Sequence, residues 1–183
     1  MVSQFISPDA VNLLGDLKFN FPEGTQAVGR LDNHSEGLLI LTTNKKIHRL
    51  LFLSEKPHKR TYLILVRNKM SHESIQQLRE GVSIKIKGGQ MYTTLPCDVE
   101  VVDKPSDLAD SIFAYDEGIP HTWLTISLTE GKYHQVRKML AILKHPVRRL
   151  IRISIEDLIL ENLKPGDVME LEEKEFFEKL KIG

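Results

Sequence analysis

Strand-like segments follow one another in this chain with few helical segments between them. Residues 61–66 are apolar at nearly every position, which predicts a strand buried on both faces. Residues 82–87 and 123–128 alternate between apolar and polar side chains, and residues 97–102 and 147–155 are expected to be strands as well. Parallel neighbours require a crossover of a dozen or more residues, usually a helix. The order therefore predicts an α+β fold with a mostly antiparallel mixed sheet flanked by helices.

Three segments show helical patterns. The clearest helix is predicted over residues 134–143, because four apolar side chains recur there at helical spacing: Val136, Met139, Leu140 and Leu143. Ser71 is expected to cap a second helix that reaches Leu78 and ends at Gly81. Asn44 is expected to cap a short third helix.

The remaining segments have simpler patterns. Residues 38–42 form an apolar run that predicts a buried strand, and residues 168–171 are expected to form a short one. Residues 104–120 contain two prolines and several acids, which is typical of a solvated loop. The last dozen residues are acidic and are expected to be helical or frayed.

Length and composition permit one ordinary globular domain. The chain has 183 residues, of which 41% are hydrophobic and 27% charged. The single cysteine, Cys97, excludes an internal disulfide and a zinc site made of several thiolates. No run of eighteen apolar residues and no basic-then-apolar leader occurs, so we expect neither a membrane span nor a signal peptide. A cytoplasmic location is the default expectation.

The net charge is zero, but the charges are segregated along the chain. Residues 29–69 hold nine Lys/Arg against three acids, and residues 130–152 hold seven against one. Residues 70–129 and residues 153–183 each hold four against nine. Basic blocks of this kind are typical of nucleic-acid-binding proteins, although a solvated surface can also acquire them by chance.

Two motifs lie in the basic blocks and carry candidate reactive groups. In residues 29–44 (GRLDNHSEGLLILTTN), Asp32 lies in a polar turn directly before the apolar run. A carboxylate fixed on a rigid element is suited to bond-breaking chemistry. In residues 130–140 (EGKYHQVRKML), Arg137 lies at the border of the buried stripe and is a candidate counter-charge.

Each candidate also has an ordinary structural explanation. Leu-Asp-Asn is common in turns, where an aspartate such as Asp32 hydrogen-bonds nearby backbone. Arg137 is compatible with a snorkelling side chain or a surface ion pair. Tyr62, in the buried strand, is compatible with a core residue. None of the three is specific by itself.

Cofactor and metal motifs are lacking. The seven histidines are scattered and show neither HxH nor HExxH spacing, so a metal site is not expected. The chain also contains no P-loop, GxGxxG or GxSxG motif.

The order and spacing of these segments resemble the RsuA-type pseudouridine synthases, which isomerise uridine in ribosomal RNA. Residues 29–44 match that family's signature GRLDxxSxGLLLLTN almost completely. Residues 60–63 resemble its K-x-Y-L segment, with arginine in place of lysine. Residues 130–139 resemble EGRNRQVRRM, with Tyr-His where Asn-Arg is usual. Three further segments look closest to the E subgroup, which acts on the large subunit: residues 94–102, 119–131 and 145–153.

The resemblance implies an architecture and a set of partners. It implies a single pseudouridine synthase catalytic domain over residues 1–183, with two lobes around a central cleft and no S4-type RNA-binding domain. A first strand of the family's fold is expected before residue 1. The implied partner is ribosomal RNA, most specifically 23S, bound by a monomer that needs no cofactor, metal or membrane.

It also implies roles for individual residues. Asp32 would attack C1′ of the target uridine or stabilise the charge that develops there, and Arg137 would pair with it. Tyr62 would stack on the flipped uracil and could remove the proton from C5, while Leu150 would line the pocket. Seven residues are candidates for phosphate contacts, although each is also compatible with an ordinary surface charge: Arg30, Lys132, His134, Lys138, Arg148, Arg149 and Arg152. If Arg148 and Arg149 lie on a strand, they cannot both face the same side.

Two other functions remain open from the sequence. A non-catalytic RNA-binding or ribosome-assembly protein with the same fold would use the basic blocks equally well, but would not need Asp32, Tyr62 and Arg137 together. A nucleoside glycosidase is less favoured, because no second acid is paired with Asp32 in the matched motifs.

Overall fold

The computed structural model describes residues 2–53, 56–110, 116 and 118–182. These residues form ten strands: β1 (Gln26–Val28), β2 (Glu36–Gly37), β3 (Ile40–Thr42), β4 (Arg60–Arg67), β5 (Ser83–Lys85), β6 (Met91–Thr93), β7 (Asp98–Val102), β8 (His121–Leu128), β9 (Val147–Ile155) and β10 (Leu158–Ile159). They also form four α-helices: α1 (Ile47–Phe52), α2 (His72–Glu80), α3 (Gln135–Ile142) and α4 (Glu173–Leu180). Short 3-10 turns cover Leu14–Asp16 and Lys87–Gly89.

A six-stranded sheet is the centre of the fold. Its strands lie in the order β10-β9-β4-β8-β7, and every neighbouring pair in that order is antiparallel. The sixth strand, β2, runs parallel to β9. The predicted α+β class with a mostly antiparallel mixed sheet is confirmed.

The two faces of the sheet carry separate apolar clusters. Ile64 and Val66 of β4 belong to the larger core, which α2 and α3 cover with side chains such as Leu78 and Met139. Leu63 and the neighbouring strand residues on the opposite face form a second cluster around Trp123. β4 is thus buried on both faces, as its apolar run predicted.

Local signals fixed some helix ends and not others. The Ser71 hydroxyl accepts a hydrogen bond from the backbone N–H of Ser74, so the predicted cap of α2 is confirmed, and Gly81 ends that helix with a φ of 108°. Helix α1 begins two residues later than expected. Lys46 is its N-cap, and the Asn44 carboxamide accepts from the Lys46 N–H in the preceding turn.

Several element predictions differ from the structure. Residues 168–171 do not form a strand, since no described strand pairs with them. The strand predicted over residues 82–87 is confirmed in part by β5, whereas its partner β6, strand β1 and the two-residue strands β2 and β10 were not predicted. The predicted loop over residues 104–120 contains no helix or strand in its described part, and residues 111–115 and 117 lie outside that part. The acidic end forms helix α4, as one of its two predicted alternatives stated.

Candidate active site

Asp32 lies in a turn that is tied to the central sheet. The Ser35 N–H donates to the Asp32 carbonyl at 2.8 Å, and β2 follows directly in parallel with β9. At Gly37, φ is 101°, and an added Cβ atom would lie 2.3 Å from the Arg152 carbonyl oxygen. Only glycine permits this approach of the two backbones. The short strand β2 therefore fixes the turn that carries Asp32 to β9.

Arg137 reaches the same turn from helix α3. Its Nη2 donates to the His34 carbonyl and also contacts the Ser35 hydroxyl at 3.3 Å. Burial lowers the pKa of Arg137, and the negative charge of Asp32 partly offsets that effect. The guanidinium is thus near Asp32, but it hydrogen-bonds the turn rather than forming the direct ion pair that the sequence suggested. In this arrangement Arg137 holds the turn that carries the carboxylate and places a positive charge near it.

His134 makes the contact with the Asp32 carboxylate. Its Nε2 lies 3.5 Å from Asp32 Oδ1, and both side chains are more than one-third exposed. The residue has a φ of 53°, in the left-handed region, and its ring stacks on Tyr133 with the centroids 3.8 Å apart. Because the pair is open to solvent, it orients the carboxylate more than it stabilises the fold.

A hydrogen-bonded network fixes the segment before α3. The Glu130 carboxylate accepts from the Tyr92 hydroxyl at 2.5 Å, from the Leu95 N–H at 2.8 Å and from the Gln135 carboxamide at 2.7 Å. Gln135 in turn accepts from the Lys132 N–H at 2.8 Å. The hydrogen bond to Glu130 is the main cause that raises the pKa of Tyr92. This network holds the loop that presents His134 and Arg137.

Sequence reasoning did not find the roles of Tyr92 and Glu130. Glu130 is the first residue of the matched motif, so a signal was available for it. Tyr92 lies on the β5–β6 hairpin, and nothing in its local sequence indicates a contact 38 residues away.

Tyr62 and Leu150 lie on the α3 face of the sheet. In the register, Tyr62 is opposite Arg152 of β9 and Ile126 of β8, and its half-buried side chain packs against the larger core. Leu150 is opposite Ile64 and is only 4% exposed. Tyr62 is therefore the more accessible of the two on this face.

The predicted phosphate contacts fall into two groups. Arg30 and Arg148 are exposed, and Arg30 donates to the Gln4 carboxamide oxygen at 2.8 Å. Lys132 lies over the Tyr92 ring at 4.6 Å, and Lys138 donates to the Lys85 carbonyl at 2.7 Å. His134 is the member of the predicted set that contacts Asp32.

Arg149 and Arg152 are buried, unlike the predicted surface contacts. Each is 4% exposed. Arg149 makes a bidentate pair with Glu36, at 2.9 and 2.8 Å, and a third bond to the Ala109 carbonyl at 2.8 Å. A bulge at Arg148 leaves that residue exposed and turns Arg149 to the opposite, covered face. The Nε and Nη2 donors of Arg149 are thus engaged within the protein, so its predicted phosphate contact has no support in this structure.

A cleft of about 1460 Å³ lies on the face of the sheet opposite α3. Its lining is mostly apolar and includes Leu63, together with Asp32 and Ser35 of the Asp32 turn. Neither Tyr62 nor Arg137 lines it. The cleft therefore reaches the Asp32 turn from the face of the sheet opposite Tyr62.

The described residues contain no group of three or more His, Cys, Asp or Glu side chains arranged to hold a metal ion. Within the same part of the chain, none of the helices has the length and apolar character needed to cross a membrane.

The fold and the two motifs are those of a known enzyme family. The sequence model described as RNA pseudouridylate synthase matches residues 14–142, about two-thirds of the chain. A crystal structure titled pseudouridylate synthase superimposes with a TM-score of 0.77 at 25% identity, covering 98% of this chain and 68% of that one. The chain belongs to the RNA pseudouridylate synthase family, and it is an isomerase.

Curated relatives narrow the comparison within that family. A protein of Vibrio parahaemolyticus is 34% identical over 172 residues, which cover 93% of this chain and 69% of the relative. A protein of Xanthomonas axonopodis pv. citri is 36% identical over 151 residues, which cover 81% of this chain and 76% of the relative. Both are named ribosomal large subunit pseudouridine synthase E.

Proposed function

We propose that this protein converts one uridine of large-subunit ribosomal RNA to pseudouridine. The observation that carries the proposal is the convergence of Arg137 and His134, from one motif, on the turn that holds Asp32, from the other. The names of the relatives support the large subunit as the source of the RNA. A non-catalytic RNA-binding protein has no need of this convergence.

The reaction breaks the C1′–N1 bond, rotates the uracil and rejoins it through C5. In the proposed mechanism, the Asp32 carboxylate faces the sugar and either attacks C1′ or stabilises the positive charge that develops there, as glycosidase carboxylates do. Arg137 keeps a positive charge beside the carboxylate and holds its turn in place. Tyr62 lies on β4, the strand next to β9, where its ring can stack on the extruded base.

The target base must leave its helix to reach Asp32, so we expect the substrate to be a loop or a locally opened stem. The exposed cations Arg30 and Arg148, together with Lys132 and Lys138, are proposed to contact its phosphates. The atoms of the substrate are only rearranged, so the chemistry itself calls for no redox cofactor. We further propose a cytoplasmic monomer, the simplest state in which one chain supplies every group named above.

Mapping pseudouridines in ribosomal RNA tests this function directly. Cells that lack the protein should lose pseudouridine at one position of the large-subunit RNA, and the wild-type gene should restore it. An unchanged map in both subunits would contradict the proposal, and a loss confined to small-subunit RNA would overturn the choice of substrate.

A further inference from the structure

Two arginines lie beside Tyr62 on the α3 face of the sheet, and the mechanism above uses neither. Arg60 is two residues before Tyr62 on β4, and Arg152 is opposite Tyr62 on β9. Burial is the main cause that lowers the pKa of Arg152, and the positive charge of Arg60 lowers it further, so the two guanidinium groups are within electrostatic range of each other. We refer to them as the Arg60–Arg152 pair.

Two buried donor atoms of this pair have no hydrogen-bond partner among the described residues. The Arg152 Nε donates to the Leu38 carbonyl at 2.8 Å, and the guanidinium also hydrogen-bonds the Tyr62 side chain, but its Nη2 is without a partner. The Arg60 Nε is likewise buried without a partner. A guanidinium carries five N–H donors and stays protonated in proteins. Nine-tenths burial of such a group without a counter-charge is strongly unfavourable.

No acidic side chain of the described chain compensates these charges. Neither arginine makes an ion pair there, and the Arg60 guanidinium instead lies 5.5 Å from the centroid of the Phe52 ring. Glu130 is close in sequence to the part of the loop that Arg60 contacts, but its carboxylate is directed to Tyr92, Leu95 and Gln135. A bound anion would supply the missing negative charge.

The surroundings of Arg60 show where such a ligand would enter. An added Cβ atom on Gly131 would lie 3.1 Å from Arg60 Nη1, so the guanidinium packs directly against this exposed glycine. Phe52, beneath the guanidinium, also packs against Gly29 at the start of the Asp32 motif. Arg60 thus lies between both motifs and is partly exposed, while Arg152 is behind it.

We propose that the Arg60–Arg152 pair is an anion site for one backbone phosphate of the RNA, beside the nucleotide that stacks on Tyr62. Guanidinium groups bind phosphate oxygens through paired N–H donors, which matches the unused donors of the pair. Arg60 contacts the phosphate from the Gly131 side, and Arg152 adds charge from behind. The site rests on the proposed function for the identity of its ligand, since a free phosphate ion offers the same chemistry.

The salt dependence of RNA binding tests the site. Arg60→Gln should reduce the slope of log Kobs against log salt by about 0.7, the value for one phosphate of a single strand. Gly131→Ala keeps every charge and moves the guanidinium by only a few tenths of an ångström, so it should leave the slope unchanged. Lys59→Gln is the matched control, because it removes an exposed cation next to Arg60. Successive side chains of an extended chain point to opposite faces, so Lys59 is directed away from the pair. This variant should leave the slope unchanged.

Thermal unfolding with inorganic phosphate provides a second readout, and it shows whether the variants fold. Phosphate should raise the Tm of the wild type above its value in chloride at equal ionic strength, and this rise should be absent in Arg60→Gln. If Arg60→Gln keeps both the slope and the phosphate response, the site is refuted. If it loses the phosphate response but keeps the slope, the pair binds free phosphate and the RNA assignment is overturned.

Binding is measured without turnover, so the two proposals fail separately. If Arg60→Gln reduces the slope but the wild type forms no pseudouridine, the anion site is supported and the isomerase is contradicted. If the wild type forms pseudouridine but Arg60→Gln leaves the slope unchanged, only the anion site is contradicted.

Discussion

At the scale of single residues, environment separates side chains that look alike in the sequence. Three arginines of the same basic segment have different partners. Arg137 binds the Asp32 turn, Arg149 pairs with Glu36, and Arg152 is buried beside Tyr62. A guanidinium can satisfy a backbone carbonyl and a charge at once because its donors form a planar fork. The geometry of that fork is therefore the property to test at Arg137.

Arg137→Lys keeps the positive charge but loses the fork that spans His34 and Ser35. We expect pseudouridine formation to fall about a hundredfold, the cost of a displacement of about 1 Å in a reacting group. RNA affinity should change little, since the charge remains. Rates on a ribosomal RNA fragment, with the exposed Lys144→Arg just after the same helix as control, check this. A fully active Arg137→Lys would show that charge alone suffices.

Cys97 offers a test of burial at the same scale. Burial raises the pKa of its thiol to about 11, and the thiol contacts the Leu78 carbonyl at 3.3 Å. The reactive thiolate is therefore about a thousandfold scarcer than the neutral thiol at pH 8. We expect the native protein to resist alkylation by iodoacetamide at pH 8 and the urea-unfolded protein to react promptly. Equal rates for both states would contradict the buried environment.

At the scale of elements, the parallel pairing of β2 with β9 brings the Asp32 turn to the sheet. Only two residues make this pairing, and the Leu38 N–H extends it by donating to the Arg152 carbonyl at 2.8 Å. The close approach depends on Gly37. A substitution there should therefore affect both the stability of the fold and the position of the turn.

Gly37→Ala should destabilise the protein by about 2–4 kcal/mol, because the new Cβ meets backbone and the residue has a positive φ. Gly88→Ala is the matched control. It has a φ of 83° but open space around it, so we expect a cost of about 1 kcal/mol from backbone strain alone. Urea unfolding measures both, and equal costs would show that the approach of the two backbones is not tight.

The elements also show what a single sequence can predict. Strands β4 and β8 and helices α2 and α3 were predicted because apolar periodicity and caps such as Ser71 act locally. The pairing of Gly37 with Arg152 joins residues that are far apart in sequence, so no local sequence pattern predicts it. Alternation predicted that Arg148 and Arg149 face opposite sides, but only the bulge decides which one is buried.

At the scale of the whole molecule, the two basic blocks of a neutral chain are neighbours in the fold, because β4 of one block pairs with β9 of the other. The α3 face carries Tyr62 and Arg152, and α3 itself brings Arg137 to the turn of Asp32. The sequence suggested that these groups act together, and the motif resemblance assigned their roles. The sequence did not indicate that Arg152 is buried. It also did not indicate that a hydrogen bond from Tyr92 to Glu130 helps to hold the loop before α3.

The central claim is that Asp32 performs the chemistry of an RNA isomerase. The most direct measurement is the rate at which Asp32→Asn forms pseudouridine in a large-subunit RNA fragment, with RNA binding measured in parallel. Asp98→Asn, an exposed substitution on β7, serves as control. We predict a loss of at least about a thousandfold for Asp32→Asn with binding retained. Turnover equal to that of the control would contradict the account.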